Sequence, residues 1–154
     1  MSHRKINVDQ YDDEDAFVDE NQTASGPTAD SAQVEADVNS RAAEVRNYLS
    51  RGDVAGAVAK ALENPPAGRA LQTVKDRNTA TVMEALAAAR STDIINIVKG
   101  LSTQQMDILM KYIYRGMGSP ELYNSAILLT WHEKATEVGG LGGIVRALTD
   151  RKTV

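Results

Sequence analysis

The 154-residue sequence contains no cysteine, one tryptophan, one phenylalanine and two histidines. Without cysteine there is no disulfide, no thiolate nucleophile, and no thiolate-held zinc or iron–sulfur centre, which fits a reducing compartment. No run of about 18 apolar residues occurs, so the sequence offers no membrane span. The N-terminal stretch is charged and then acidic, rather than basic and then apolar, so no secretory signal is expected and a cytosolic protein is. No stretch shows convincing alternation of apolar and polar residues, and no Asn-Gly or Asp-Gly hairpin turn occurs. A β-rich fold is therefore not expected.

What is present is ordinary for a globular chain: 42% hydrophobic and 25% charged residues, with enough length to bury a real core. The charge is unevenly placed. Residues 1–37 hold ten Asp and Glu against Arg4 and Lys5, whereas residues 38–154 hold 15 Lys and Arg against 11 Asp and Glu. An acidic arm on a mildly basic body argues against nucleic acid, whose phosphates the arm would repel. It favours a basic partner surface, or the arm lying on its own body. Within the arm, "VDQYDDEDAFVDE" (residues 8–20) interleaves its carboxylates with Val8, Tyr11, Phe17 and Val18. A plain solvated tail has no need of those aromatics.

Residues 1–29 read as an extended or disordered acidic arm closing with Ser25-Gly26-Pro27, and residues 30–154 as one all-helical domain. Val34, Val38, Ala42, Val45 and Leu49 recur at helical spacing up to a stop at Gly52. Asp53 caps a short helix with Ala57, Val58, Ala61 and Leu62, ended by Asn64-Pro65-Pro66. A longer helix carries Leu71, Val74, Val82, Ala85, Leu86 and Ala89. Thr92 or Asp93 caps a segment with Ile94, Ile95 and Val98 that stops near Gly100. "STQQ" offers a capping box, Ser102 with Gln105, opening a helix with Met106, Leu109, Met110 and Ile113 that ends at Gly116 and Gly118. "SPE" reads as the next start, with Ser119 as cap and Pro120 at the first helical position. That helix runs to Gly139-Gly140, and a last short one carries Ile144, Val145 and Leu148. The expectation is an all-α fold: an irregular helical bundle or short curved stack of about seven helices joined by short connections.

Catalytic motifs are approached and then missed. "WHEKAT" begins like a zinc-protease helix, but the second histidine is replaced by Thr136, and the other histidine, His3, lies in the arm. The expectation there is Trp131 in the core, with His132, Glu133 and Lys134 at or near the surface. "GGLGG" (139–143) lacks both the Lys-Ser/Thr of a P-loop and the preceding strand of a dinucleotide fold, leaving a helix-to-helix turn. "MKYIYRG" (110–116) sends Tyr112 and Tyr114 to different sides of one helix, which is no base-stacking platform. No G-x-S-x-G elbow occurs. No enzyme, metal or cofactor is expected.

Longer stretches carry a resemblance. "DILMKYIYRG", "LLTWHEKATEVGGLGGIVRALTDRKTV" and the arm's "VDQYDDEDAFVDE", with "ENPP" and "TVKDR" between them in order, resemble the subunit-5 family, the smallest subunit of the actin-related protein 2/3 complex. Thr130, Gly143 and Asp150 depart from the residues usual there, Asp150 replacing an Ala. The resemblance implies a non-enzymatic structural subunit of an assembly that nucleates branched actin filaments, in the cytoplasm at cortical actin structures. It implies an all-helical body docked on the WD-repeat subunit and the subunit-4 side of the scaffold, with indirect contact to actin filaments and none to nucleic acid. It also implies an arm reaching toward actin-related protein 2, with Tyr11 and Phe17 at the family's aromatic positions and Val18, Asp19 and Glu20 following. The alternative is a free-standing helical adaptor that binds peptides in a concave groove, with the arm as a strap.

Overall fold

A computed structural model describes residues 30–66, 72–150, 152 and 154. The arm, and Leu71 of the third expected helix, lie outside them. Among the described residues the secondary structure is six helices and no strand: α1 (Asp30–Ser50), α2 (Val54–Ala61), α3 (Gln72–Ala88), α4 (Ile94–Gly100), α5 (Thr103–Met117) and α6 (Ser125–Thr149). α6 is interrupted at Gly140, whose φ of 65° and ψ of −176° are non-helical. Its second half is the seventh helix that the glycine pair led one to expect.

The local chemistry explains most boundaries. α1 ends because Gly52 takes φ 77°; its N–H then reaches Leu49 O at 3.0 Å, and Asp53 N–H reaches Tyr48 O at 3.0 Å. This is the glycine-terminated double closure of a helix end. Asp53 then caps α2, its carboxylate accepting from Gly56 N–H at 2.8 Å. The box at α5 forms as expected: Ser102 Oγ accepts from Gln105 N–H, and Gln105 Oε1 accepts from Ser102 N–H.

One boundary differs from expectation. Ser119-Pro120 opens only a turn, in which Leu122 and Tyr123 N–H both donate to Ser119 O. The cap of α6 is Asn124, whose Oδ1 accepts from Ala126 N–H at 2.9 Å. α5 does end at its glycines, with Met117 the last residue and Gly118 the C-cap, and Gly116 in its last turn has a packing role as well. A Cβ there would sit 2.6 Å from Met83 Cε and 2.8 Å from Leu128 Cδ1, so the glycine admits α3 and α6 against α5.

The helices form two groups. α1, α2 and α3 pack mutually; α6 packs on α5 and α4; α3 joins the groups by touching both α5 and α6. α3 is accordingly buried on several sides, through Val74, Lys75, Asn78, Thr79, Thr81, Val82, Met83, Ala85 and Leu86. In α4 the buried residues are Ile94, Ile97 and Val98, with Ile95 only half-covered. Trp131 is fully buried, and its indole Nε1 donates to Leu86 O at 3.0 Å.

Candidate functional site

The surface carries two kinds of feature that bear on function: polar tracks that lock helices together, and apolar side chains with nothing over them. Among the described residues no group of three or more His, Cys, Asp or Glu is arranged to hold a metal. His132 bonds Tyr114 instead. Tyr114 OH and His132 Nε2 lie 3.1 Å apart, with the rings tilted at 59°. Glu133 is exposed and shares Lys134 with Glu137. The two tyrosines of α5 do diverge: Tyr112 is buried on the α3 side, while Tyr114 is half-covered against α6.

A buried polar track crosses three helices. Arg41 of α1 donates to Asn78 Oδ1 at 2.8 Å and to Asn64 O at 2.9 Å, and Asn78 Nδ2 donates to Tyr112 OH at 2.5 Å. Burial pushes the Tyr112 phenol up to about 12, against the opposing pull of its Asn78 hydrogen bond and of Arg41 and Arg115. Burial also lowers Lys75, with the nearby Arg115 charge adding to the shift. The track is structural in kind: it joins α1, α3 and α5 and has no convergent pocket in front of it.

Two shallow grooves are present. One, of about 470 Å³, runs between α1 and α3 past Val38, Ala42, Arg46, Arg77, Ala80 and Glu84. The other, of about 260 Å³, lies beside Met83, Leu122, Tyr123 and Ile127. The charged side chains along the first are engaged in ion pairs, Arg46 with Glu84 and Arg77 with Glu35, and the second is lined mainly by apolar side chains.

The apolar exposure is concentrated on the second half of α6. Leu141 is 74% exposed, Val145 58% and Leu148 68%. Their spacing places them within one arc of the helix, opposite the buried Gly143 and Ala147. Leu129 and Leu122 are exposed elsewhere on the surface. Single exposed leucines are ordinary, but a continuous stripe is the mark of a protein-docking face. Of the three apolar residues expected on the last short helix, Ile144 is half-covered while Val145 and Leu148 are exposed. The candidate arm residues Val8, Tyr11, Phe17, Val18, Asp19 and Glu20 lie outside the described residues.

Residues 2–154 match the model of the family described as "ARP2/3 complex 16 kDa subunit (p16-Arc)". The chain belongs to the p16-Arc family. It is 40% identical over 151 residues to the Xenopus laevis protein named actin-related protein 2/3 complex subunit 5-C, covering 98% of this chain and 93% of that one. It is 41% identical over the same length to the human subunit 5-like protein, with 94% of that chain covered. The Dictyostelium discoideum subunit 5 is 35% identical over 138 residues, which is 90% of this chain and 99% of that one. No helix among the described residues is long and apolar enough to cross a membrane.

Proposed function

We propose that this chain is a non-catalytic structural subunit of the actin-related protein 2/3 complex, the assembly that nucleates branched actin filaments, in the cytoplasm at cortical actin structures. The observation that carries the reading is the p16-Arc match across residues 2–154. The exposed Leu141, Val145 and Leu148 stripe gives that reading a physical surface. In this role the helical body docks on the WD-repeat subunit and the subunit-4 side of the scaffold. The arm extends toward actin-related protein 2, contacting it through Val8, Tyr11, Phe17, Val18, Asp19 and Glu20.

The arm's composition suits a tether. A segment that orders on binding loses about 1–2 kcal/mol of backbone entropy per residue fixed. A few anchors must offset that loss, and aromatics burying roughly 150–250 Å² each are the effective ones. Asp12, Asp13, Glu14 and Asp15 then call for a basic rim on the partner.

The test is purification of the tagged chain from its own cells, with the co-purifying proteins quantified by mass spectrometry. Fixed stoichiometry with the actin-related proteins and the other subunits is expected. Recovery as a stable monomer would instead favour the free-standing adaptor.

A further inference from the structure

The two halves of α6 are held by different forces. Residues 125–139 bury Leu128, Trp131 and Ala135, whereas residues 141–149 bury only Gly143 and Ala147, with Ile144 half-covered. Glycine and alanine remove little apolar surface from water, so the second half gains little from burial. Nothing lies within 4 Å of where a Cβ would stand on Gly140, and its neighbour Gly139 meets only the edge of Met106, at 3.5 Å.

Polar groups on α5 supply the hold. Asp107, Lys111 and Arg115 are spaced four apart and therefore form one row. Asp107 receives the Arg146 guanidinium in a two-pronged contact, Nε to Oδ2 at 2.9 Å and Nη2 to Oδ1 at 2.9 Å. Lys111 Nζ donates to Asp150 Oδ2 at 2.5 Å and to Lys152 O at 2.8 Å. Arg115 donates to Val154 O through one nitrogen and to Asp76 of α3, at 2.6 Å, through the other. The pairs 107–146, 111–150 and 115–154 each join residues 39 apart, so both rows advance in the same direction. Asp150 also accepts from Lys152 N–H at 3.0 Å, closing a turn that aims the following residues along α5. The ladder is not a loose surface decoration: the Lys111 side chain is only 13% exposed and Val154 is buried in the core.

We propose that this ladder is a latch, in which Asp107, Lys111 and Arg115 grip Arg146, Asp150, Lys152 and Val154 and so fix the tilt, about Gly140, of the face formed by Leu141, Val145 and Leu148. The latch is a property of the free chain; only its consequence for docking rests on the function proposed above. Two-pronged and charge-assisted contacts fix orientation as well as adding energy. Single exposed ion pairs do little, but the rungs act on one short segment together.

Amide hydrogen exchange of the full chain tests this, comparing wild type with Asp150→Ala, Lys111→Met and Asp107→Ala. Each substitution is expected to speed exchange across 141–149 by about ten-fold while leaving 125–139 unchanged. Equal acceleration of both halves, or none in 141–149, would overturn the latch. Asp150 is exposed and carries no core packing, so that variant remains informative if Lys111→Met disturbs α5. A competition between wild-type and Asp150→Ala chains for incorporation into the complex separates the two claims. Faster exchange with reduced incorporation supports both. Faster exchange with unchanged incorporation leaves the latch standing and removes the stripe as the docking face.

Discussion

The indole of Trp131 and the carbonyl of Leu86 meet across the contact of α6 with α3, at 3.0 Å and without solvent access. Leu86 stands in the last turn of α3, where the carbonyl lacks its usual partner four residues on because the helix stops at Ala88. The tryptophan therefore fills the core and closes a helix end at once.

Trp131→Ala should destabilise the chain by about 3–5 kcal/mol, the range for truncating a large buried aromatic. Trp131→Phe should recover part of the packing but remove the indole donor from the Leu86 carbonyl, which keeps only its long bond from Ala89 N–H, costing about 0.5–1.5 kcal/mol for the lost hydrogen bond. His132→Ala, next along the helix but half-exposed, should cost little. Chemical denaturation of the three variants checks the order; a Trp131→Ala chain as stable as wild type would refute the core assignment.

Gly116→Ala should destabilise although alanine is the better helix former. The new methyl must displace Met83 Cε and Leu128 Cδ1, and overpacking of this kind costs about 1–3 kcal/mol. Because the clash is shared with Met83, combining Gly116→Ala with Met83→Ala should cost less than the sum of the single changes. Strict additivity in a double-mutant cycle would show that the close approach is not what the glycine serves.

Tyr112 should make the fold sensitive to alkali. The unfolded phenol gives up its proton near pH 10, whereas the folded one holds it to about 12. In that window the unfolded state binds fewer protons, so stability falls as pH rises. The full loss is about 2–3 kcal/mol. Tyr112→Phe lacks this term, so the stability gap between wild type and variant should shrink from pH 9 to pH 12. Denaturation midpoints across that range decide it, and a constant gap would count against the buried phenol.

The arm should bind through aromatics, with charge as helper. Tyr11→Ala with Phe17→Ala should weaken binding of an arm peptide to actin-related protein 2 at every ionic strength, mainly by faster dissociation. Neutralising Asp12, Asp13 and Asp15 should slow association and flatten the salt dependence, since screening acts over about 8 Å at physiological strength. Surface-immobilised peptide at low and high salt separates the two effects. Unchanged binding by the aromatic double variant would reduce the arm to an acidic spacer.

The helices were legible because their signals are local. Ser102 with Gln105, Asp53, Gly52 and the Gly139-Gly140 pair each act within one turn of chain, and each does what its chemistry suggests. Ser119-Pro120 misled because a good start signal competed with Asn124, which lies nearer the first buried residue, Leu128. The polar track was invisible for a different reason. Arg41 and Asn78 lie 37 residues apart and Asn78 and Tyr112 lie 34 apart, and no spacing rule links a mid-helix arginine to an asparagine on another helix. Periodicity likewise cannot tell a buried apolar face from an exposed one, since both carry apolar residues at the same interval. Val145 and Leu148 fell into that gap. Composition and resemblance single out Tyr11 and Phe17 in the arm, because a plain solvated tail has no need of aromatics.

The bond from Arg41 to Asn78 governs how the fold opens. α1 touches only α2 and α3 strongly and buries little besides Val38, Arg41 and Val45, so on apolar grounds it would peel away turn by turn. Lifting the guanidinium strands Asn78 Oδ1, which is buried, at about 1–3 kcal/mol for an acceptor left dry, whereas Asn64 is exposed and its carbonyl is met by water. Fraying of α1 therefore meets its first barrier at Arg41, about two turns inward from Val34, where the helix is tied to α3. A pull on the chain ahead of α1 is thus passed to α3 rather than borne by its first helix alone.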